Sequence, residues 1–210
     1  MATYSIVIAY YDEDISWTNT TTVKTHVYNK NSNSPGPNTL PNVGREAHTY
    51  VHHIITHYDN LDPVTVFLQG TPFDHMPKGC IQQLVAEAET HPSGLSQNAK
   101  VHEVGNNNAY FDFTIKVHAG KPVAPFESGK TFGEWLKTVA NYRYTMSPRW
   151  YIGACFAATR EAIRSVPLDQ WLSIYESLSY DINPVTGHYM ERSWYMLLDL
   201  ERSNPRKNIL

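Results

Sequence analysis

The chain has 210 residues, 41% hydrophobic and 18% charged, with a formal net charge of −3. That suits one globular domain with a sizeable core. It excludes a basic surface for nucleic acid or anionic membranes, and no apolar run approaches the ~20 residues of a membrane span.

The N-terminal MATYSIVIAYYDED has no basic n-region and no long apolar h-region, so it does not read as a signal peptide. Cys80 and Cys155 lie far apart and outside any metal-type spacing, which reads as two reduced, buried thiols. Together these point to a soluble, cytoplasmic protein. The run Tyr4–Tyr11 is β-branched and apolar and predicts a central strand, closed by the acids Asp12, Glu13 and Asp14. A second strand is expected over Thr21–Tyr28, followed by Asn29-Lys30 and an Asn/Ser/Pro/Gly-rich loop from 31 to 41. Ala47, Tyr50, Val51, Ile54, Ile55 and Tyr58 fall on one helical face, with Asn42 as a candidate N-cap. Strand VTVFLQ (Val64–Gln69) follows, then a helix after Pro77 with Ile81, Leu84, Val85 and Ala88 inward.

Lys100–Val104 reads as a short strand. Thr131 and Glu134 form a capping-box pattern ahead of a helix that buries Phe132, Trp135, Leu136 and Val139. Trp150–Ala158 reads as one strand interrupted by Gly153. Helices at about 160–165 and 168–178 are split by Pro167, and a last helix carries Met190, Trp194, Leu197 and Leu198. The alternation of strands and helices predicts an α/β fold in a single domain, with a central mixed, mostly parallel sheet flanked by helices. In such sheets ligands bind beyond the carboxyl ends of the strands. Tyr11-Asp12, Asn29-Lys30 and the stretch from Gln69 to His75 would then line one crevice.

The chemistry-bearing residues admit two readings each. Asp74 and His75, bracketed by Pro72 and Pro77, suit a divalent ion such as Mn²⁺, or a plain surface turn. The acids 12–14 contain a literal Asp-x-Asp, which also reads as a solvated turn. Arg45 at a helix start suits an anion, or a solvent-facing ion pair. His48/His52 and His53/His57 are i, i+4 pairs able to chelate a metal, but they lie off the apolar stripe and read as solvated or flank-packed. His188 could bring a ligand from the last helix. Glu191 could serve as a base, or merely satisfy the helix macrodipole.

The segments YYDEDISW, VYNK, LPNVGREAHTYVHHIITHYDNL, VFLQGTPFDH, WYIGACFAATREAI and GHYMERSW resemble GT-A-fold glycosyltransferases. More specifically, they resemble a family of viral, fungal and bacterial proteins that includes chlorella-virus members. The likeness spans roughly residues 4 to 200. It implies a nucleotide-sugar transferase using a UDP-sugar donor, a glycan or glycoprotein acceptor, and Mn²⁺ (or Mg²⁺). Its nucleotide-binding part would run to about residue 120, with an acceptor-side part from 121 to 200. By position, Tyr11 and Asp12 would face the base or ribose, Asn29 and Lys30 would close over the nucleotide, and Arg45 would sit near the diphosphate. Where the family pattern carries Asp-x-Asp this chain has Gln69 and Thr71, so Asp74, His75 and His188 are the substitute metal ligands. Glu191 or Asp112 would take the acceptor proton. A non-catalytic nucleotide- or glycan-binding module of the same fold, and a metal-dependent hydrolase, are the competing expectations.

Overall fold

The computed structural model describes residues 3–74, 76–77, 79–96, 101–103, 111–142, 149–151 and 154–200, with only the strand course at 101–103 and 149–151. In chain order the elements begin with β1 (Tyr4–Tyr10), β2 (Lys24–Asn29), α1 (Arg45–His57), β3 (Val64–Gln69) and α2 (Ile81–Thr90). Short strands β4 (Val101–Glu103), β5 (Val117–His118) and β6 (Lys121–Pro122) precede α3 (Phe132–Thr138). Strands β7 (Arg149–Tyr151) and β8 (Phe156–Thr159) are followed by α4 (Arg160–Arg164), α5 (Leu168–Leu178) and α6 (Val185–Leu198).

The central sheet has the order β2-β1-β3-β8. β1 pairs in parallel with both β2 and β3, and β8 closes the far edge antiparallel to β3. Alternate residues separate cleanly. Val7, Ala9, Tyr28, Phe67 and Phe156 join the larger core under α1 and α6, whereas Ile6, Ile8, Val66, Leu68 and Ala157 face α2. Both faces being covered explains why β1 and β3 read as continuous apolar runs. On the larger side, Phe156 packs against Phe67 and Trp194, each with ring centroids 5.0 Å apart. The fold is therefore α/β with a mostly parallel sheet between helices. Among the described residues no helix is long and apolar enough to cross a membrane.

Several expectations shift. The long strand expected at 150–158 is two strands, with residues 152–153 outside the described set. Cys155 is buried, but Cys80 is only half-buried. Helix α1 begins at Arg45, not near Asn42, with Gly44 as its N-cap at φ 65°. The larger correction concerns the helix histidines. Ala47, His48, Thr49, Tyr50 and Val51 are all buried, as is His53. Five successive residues exceed one helical turn, so α1 has no solvent-facing side there. The cause is a further layer that periodicity within one segment does not reveal. α5 packs along α1, and Tyr175 stacks on His48 with ring centroids 4.5 Å apart.

Gly44 is required where it stands. A Cβ there would lie 2.6 Å from the Leu178 carbonyl oxygen and 2.7 Å from the His48 Cβ. Gly44→Ala is expected to lower stability by about 2 kcal/mol or more, combining left-handed strain with a backbone clash. Gly36→Ala, with nothing within 4 Å of the added carbon, should be near neutral. Urea unfolding midpoints of the two variants check this.

Candidate functional site

The strand order turns back on either side of β1, whose neighbours are β2 and β3. That is the topological switch point of an open α/β sheet, where the loops leaving adjacent strands diverge and leave a crevice. A cleft of about 260 Å³ lies there, lined by Tyr11, Glu13, Lys30, Arg45, Glu46 and Gln69 among others. A larger groove of about 460 Å³, bordered by Tyr4, Trp17, Phe73 and Ile81, lies elsewhere. Its one charged lining group is Asp14, whose carboxylate accepts the Ser16 backbone N–H at 2.8 Å. The smaller cleft concentrates the chemistry.

Lys30 frames this cleft. It is 4% exposed, and its ammonium donates to the carbonyls of Val43 and Arg45. Burial pushes its pKa down to about 8. This clamp ties the end of β2 to the start of α1. It supports Arg45, which sits at φ 53°, a left-handed conformation costly for a non-glycine residue. The Arg45 stem crosses Gly187, where a Cβ would approach its Cδ to 3.2 Å. Arg45 Nη1 lies 3.3 and 3.4 Å from the two ring nitrogens of His188. A nitrogen that near both lies over the ring face, since an in-plane position would collide with ring carbons. Arg45 Nε also approaches Glu46 Oε2 at 3.7 Å.

Beneath this pair the electrostatics are unusual. Burial pushes the His188 imidazole down to about 3, with Arg45, His118 and Arg192 adding to the effect. Its Nε2 lies 3.1 Å from Asn183 Oδ1, which fits a neutral ring donating there. Glu191, one turn further along α6, has its pKa raised, first by burial and then by the charge of Glu46. Burial also lifts the Cys155 thiol to about 11. At the other wall Glu13 turns inward. Its Oε2 accepts the backbone N–H groups of Tyr11 and Asp12 at 2.7 and 3.2 Å. Tyr11 itself is 46% exposed and offers its ring to solvent.

The sequence family described as "Protein of unknown function (DUF3431)" matches residues 6–208. The chain belongs to the DUF3431 family. No curated protein and no solved structure matches it.

In this DUF3431 chain the expected site residues divide. Tyr11, Lys30, Arg45 and Gln69 line one cleft, and His188 and Glu191 lie behind Arg45 and Glu46. Lys30 is engaged by backbone and frames the cleft without closing over it. Asn29 does not line it. Its side chain donates to the Ser34 carbonyl and accepts the Asn31 N–H, organising the loop after β2. Asp12 is exposed, and Asp14 is held in its own turn, its pKa lowered by the hydrogen bonds from Ser16. The Asp-x-Asp there is a surface turn. Asp74 is exposed on a short 3-10 turn and is not a lining residue, and Asp112 is exposed on the turn after Phe111. His75 and the segment around Gly153 lie outside the described residues.

Among the described residues, neither Asp74 nor His188 belongs to a group of three or more potential ligands close enough for a metal. The third member of the expected Mn²⁺ set, His75, lies outside the described residues. Glu46 was missed, because an acid in a helix's first turn reads as a macrodipole partner and nothing in the sequence marks it as facing a cleft.

The buried neutral histidines carry a pH signature. Burial holds His48, like His188, down to about 3, against an ordinary value of 6.5. Below pH 6.5 the unfolded chain binds protons on these rings that the folded chain refuses. Stability therefore falls as pH drops, by up to about 1.4 kcal/mol per pH unit for each ring. Urea midpoints measured between pH 7.5 and 5 should fall steeply, and His48→Phe, which keeps the stack on Tyr175, should flatten the slope.

Proposed function

We propose that the cleft at the ends of β1, β2 and β3 binds a UDP-sugar and that the protein transfers its glycosyl group to a glycan or glycoprotein hydroxyl. The observation that carries this reading is Arg45, held at a sheet switch point in a cleft that Lys30, Glu13, Glu46 and polar groups also line. A guanidinium so placed suits a diphosphate, which it meets with two parallel N–H donors. Tyr11 offers a flat exposed ring on which a base would stack. Glu46 and Gln69 are suited to ribose or sugar hydroxyls.

In the transfer, the bond from the anomeric carbon to the diphosphate oxygen breaks, and the acceptor oxygen forms the new bond. The acceptor hydroxyl proton goes to a carboxylate, and charge develops on the departing diphosphate beside Arg45. Glu191 is the base in this reading, its proton affinity raised by burial and by Glu46. Mn²⁺ or Mg²⁺, which the family resemblance implies, would add charge at the diphosphate. Since Asp74 is exposed and His188 lies under Arg45, no step is assigned to the metal.

A second reading, a nucleotide- or glycan-binding module without turnover, is favoured by one observation. The end of β3 carries Gln69 and Thr71 in the cleft wall where a metal–diphosphate site needs acids.

Arg45→Ala should weaken UDP binding by about 1.5–3 kcal/mol, the scale of a charged hydrogen bond, with the fold intact by circular dichroism. Calorimetry in Mn²⁺, in Mg²⁺ and in EDTA measures it. Binding that persists in EDTA leaves Arg45 as the principal counter-charge, and binding lost in EDTA restores the metal. Glu191→Gln should reduce UDP-sugar turnover by roughly 10²–10⁴-fold while leaving UDP affinity within a few fold. Wild-type protein that binds UDP but turns over no UDP-sugar supports the binding module.

A further inference from the structure

A second constellation lies on the far half of α1. His53 and His57 are about 12 and 18 Å along the helix axis from Arg45, so they are separate from the cleft. Their i, i+4 spacing stacks the two rings, with centroids 4.3 Å apart and planes 18° from parallel. The neighbouring edge strand β2 presents His26 and Tyr28 to this face. The His26 ring centroid is 4.7 Å from that of His53 and 5.0 Å from that of His57. One ring nitrogen from each of the three lies within 4.8 Å of those of the other two, and among the described residues this is the one group of potential ligands that close.

We propose that His26, His53 and His57 form a binding site for one divalent transition cation, best matched by Zn²⁺, with three imidazole ligands and a fourth position for water.

Two features support this beyond proximity. First, the outer hydrogen bonds are those that orient metal-binding imidazoles. His57 Nδ1 lies 3.1 Å from the His53 carbonyl oxygen, which can only accept. Thr56 Oγ1, 2.9 Å from the same nitrogen, donates to the His52 carbonyl and so can accept as well; this arrangement fits a proton on Nδ1 and the lone pair on Nε2. His53 Nδ1 lies 3.0 Å from Tyr28 Oη, which can accept its proton and leave Nε2 of that ring free as well. Second, His26 Nε2 is buried without a hydrogen-bond partner. A buried polar atom in that state is costly, and ligation would satisfy it.

The donor set decides the ion. Three imidazoles without a carboxylate suit Zn²⁺, Co²⁺, Ni²⁺ or Cu²⁺ and not the oxygen-seeking Mg²⁺ or Ca²⁺. Tetrahedral Zn–N bonds of about 2.0–2.1 Å require nitrogens about 3.4 Å apart, so the rings must close slightly on the ion. His57 in the last turn of α1 and His26 on an edge strand are both partly exposed. The site clamps β2 to α1 toward the other end of the helix from the Lys30 contact, and it stands independently of the nucleotide-sugar reading.

The test uses the untagged full-length chain, stripped with chelator and then titrated with Zn²⁺, Co²⁺ and Mg²⁺. One equivalent of Zn²⁺ should bind and raise Tm. Co²⁺ should give the visible absorption of a four-coordinate site, and Mg²⁺ should do neither. His26→Ala and His57→Ala, both partly exposed positions, should each weaken Zn²⁺ binding by at least about tenfold. His91→Ala, at the end of α2, should leave it unchanged. Failure to bind one equivalent, or equal Zn²⁺ affinity in the two cluster variants and wild type, would overturn the proposal and leave the histidines as packing alone.

Discussion

Helix α1 is enclosed over residues 47–51, and the rest of the molecule answers to that enclosure. The sheet lies on one side of it, and α5 and α6 cover the other. An ordinary surface helix would leave its polar stripe in water, where protonation and rotamer choice are free. Here the polar stripe lies between layers. Each of its members must find a partner, stay neutral, or reach an opening. Arg45 reaches the cleft at the helix start, His48 stacks on Tyr175, and His53 bonds Tyr28.

The same enclosure links the two ends of β2 to one helix. Near its C-terminal end, Lys30 binds carbonyls in the turn that launches α1. Along its body, Tyr28 and His26 meet the third and fourth turns. β2 is an edge strand with a single neighbour in the sheet. Edge strands are held more weakly than central ones unless something covers them. These side-chain contacts compensate for the missing strand neighbour and give the cleft a rigid wall.

Much of this architecture could be read in the residues. β3 spans Val64–Gln69, as its run of apolar and β-branched residues predicts, and the Thr131–Glu134 capping box is present with both of its hydrogen bonds. Those signals are local, set by side chains within a few positions of each other. The convergence of Tyr11, Lys30 and Gln69 followed from a general rule about parallel sheets, whereas Arg45 was marked by its place at a helix start and by the family resemblance. What escaped was long-range. The burial of His48 depends on Tyr175, and the meeting of His26 with His53 and His57 depends on strand register and helix phase together. Neither is written in the spacing of one segment. Asp74 and Asp112 lie exposed on turns outside the cleft lining, a placement that the spacing of acids near a strand end does not reveal.

Gly70 sets the character of the cleft by what it lacks. A Cβ at that position would lie 2.7 Å from Glu13 Oε2, so only a bare backbone admits the Glu13 carboxylate. With it in place, the cleft carries negative charge from Glu13 and Glu46 and positive charge from Lys30 and Arg45 within a volume of about 260 Å³. Such a space is an oriented dipole more than a simple anion trap. A guest is sorted by its own charge distribution, with its acidic end drawn to the guanidinium and its hydroxyl or N–H donors to the carboxylates. A uniformly charged molecule of either sign meets repulsion somewhere along the walls. Filling position 70 with a side chain would displace Glu13, free the amides of Tyr11 and Asp12, and tip the balance of charge in the cleft toward Lys30 and Arg45.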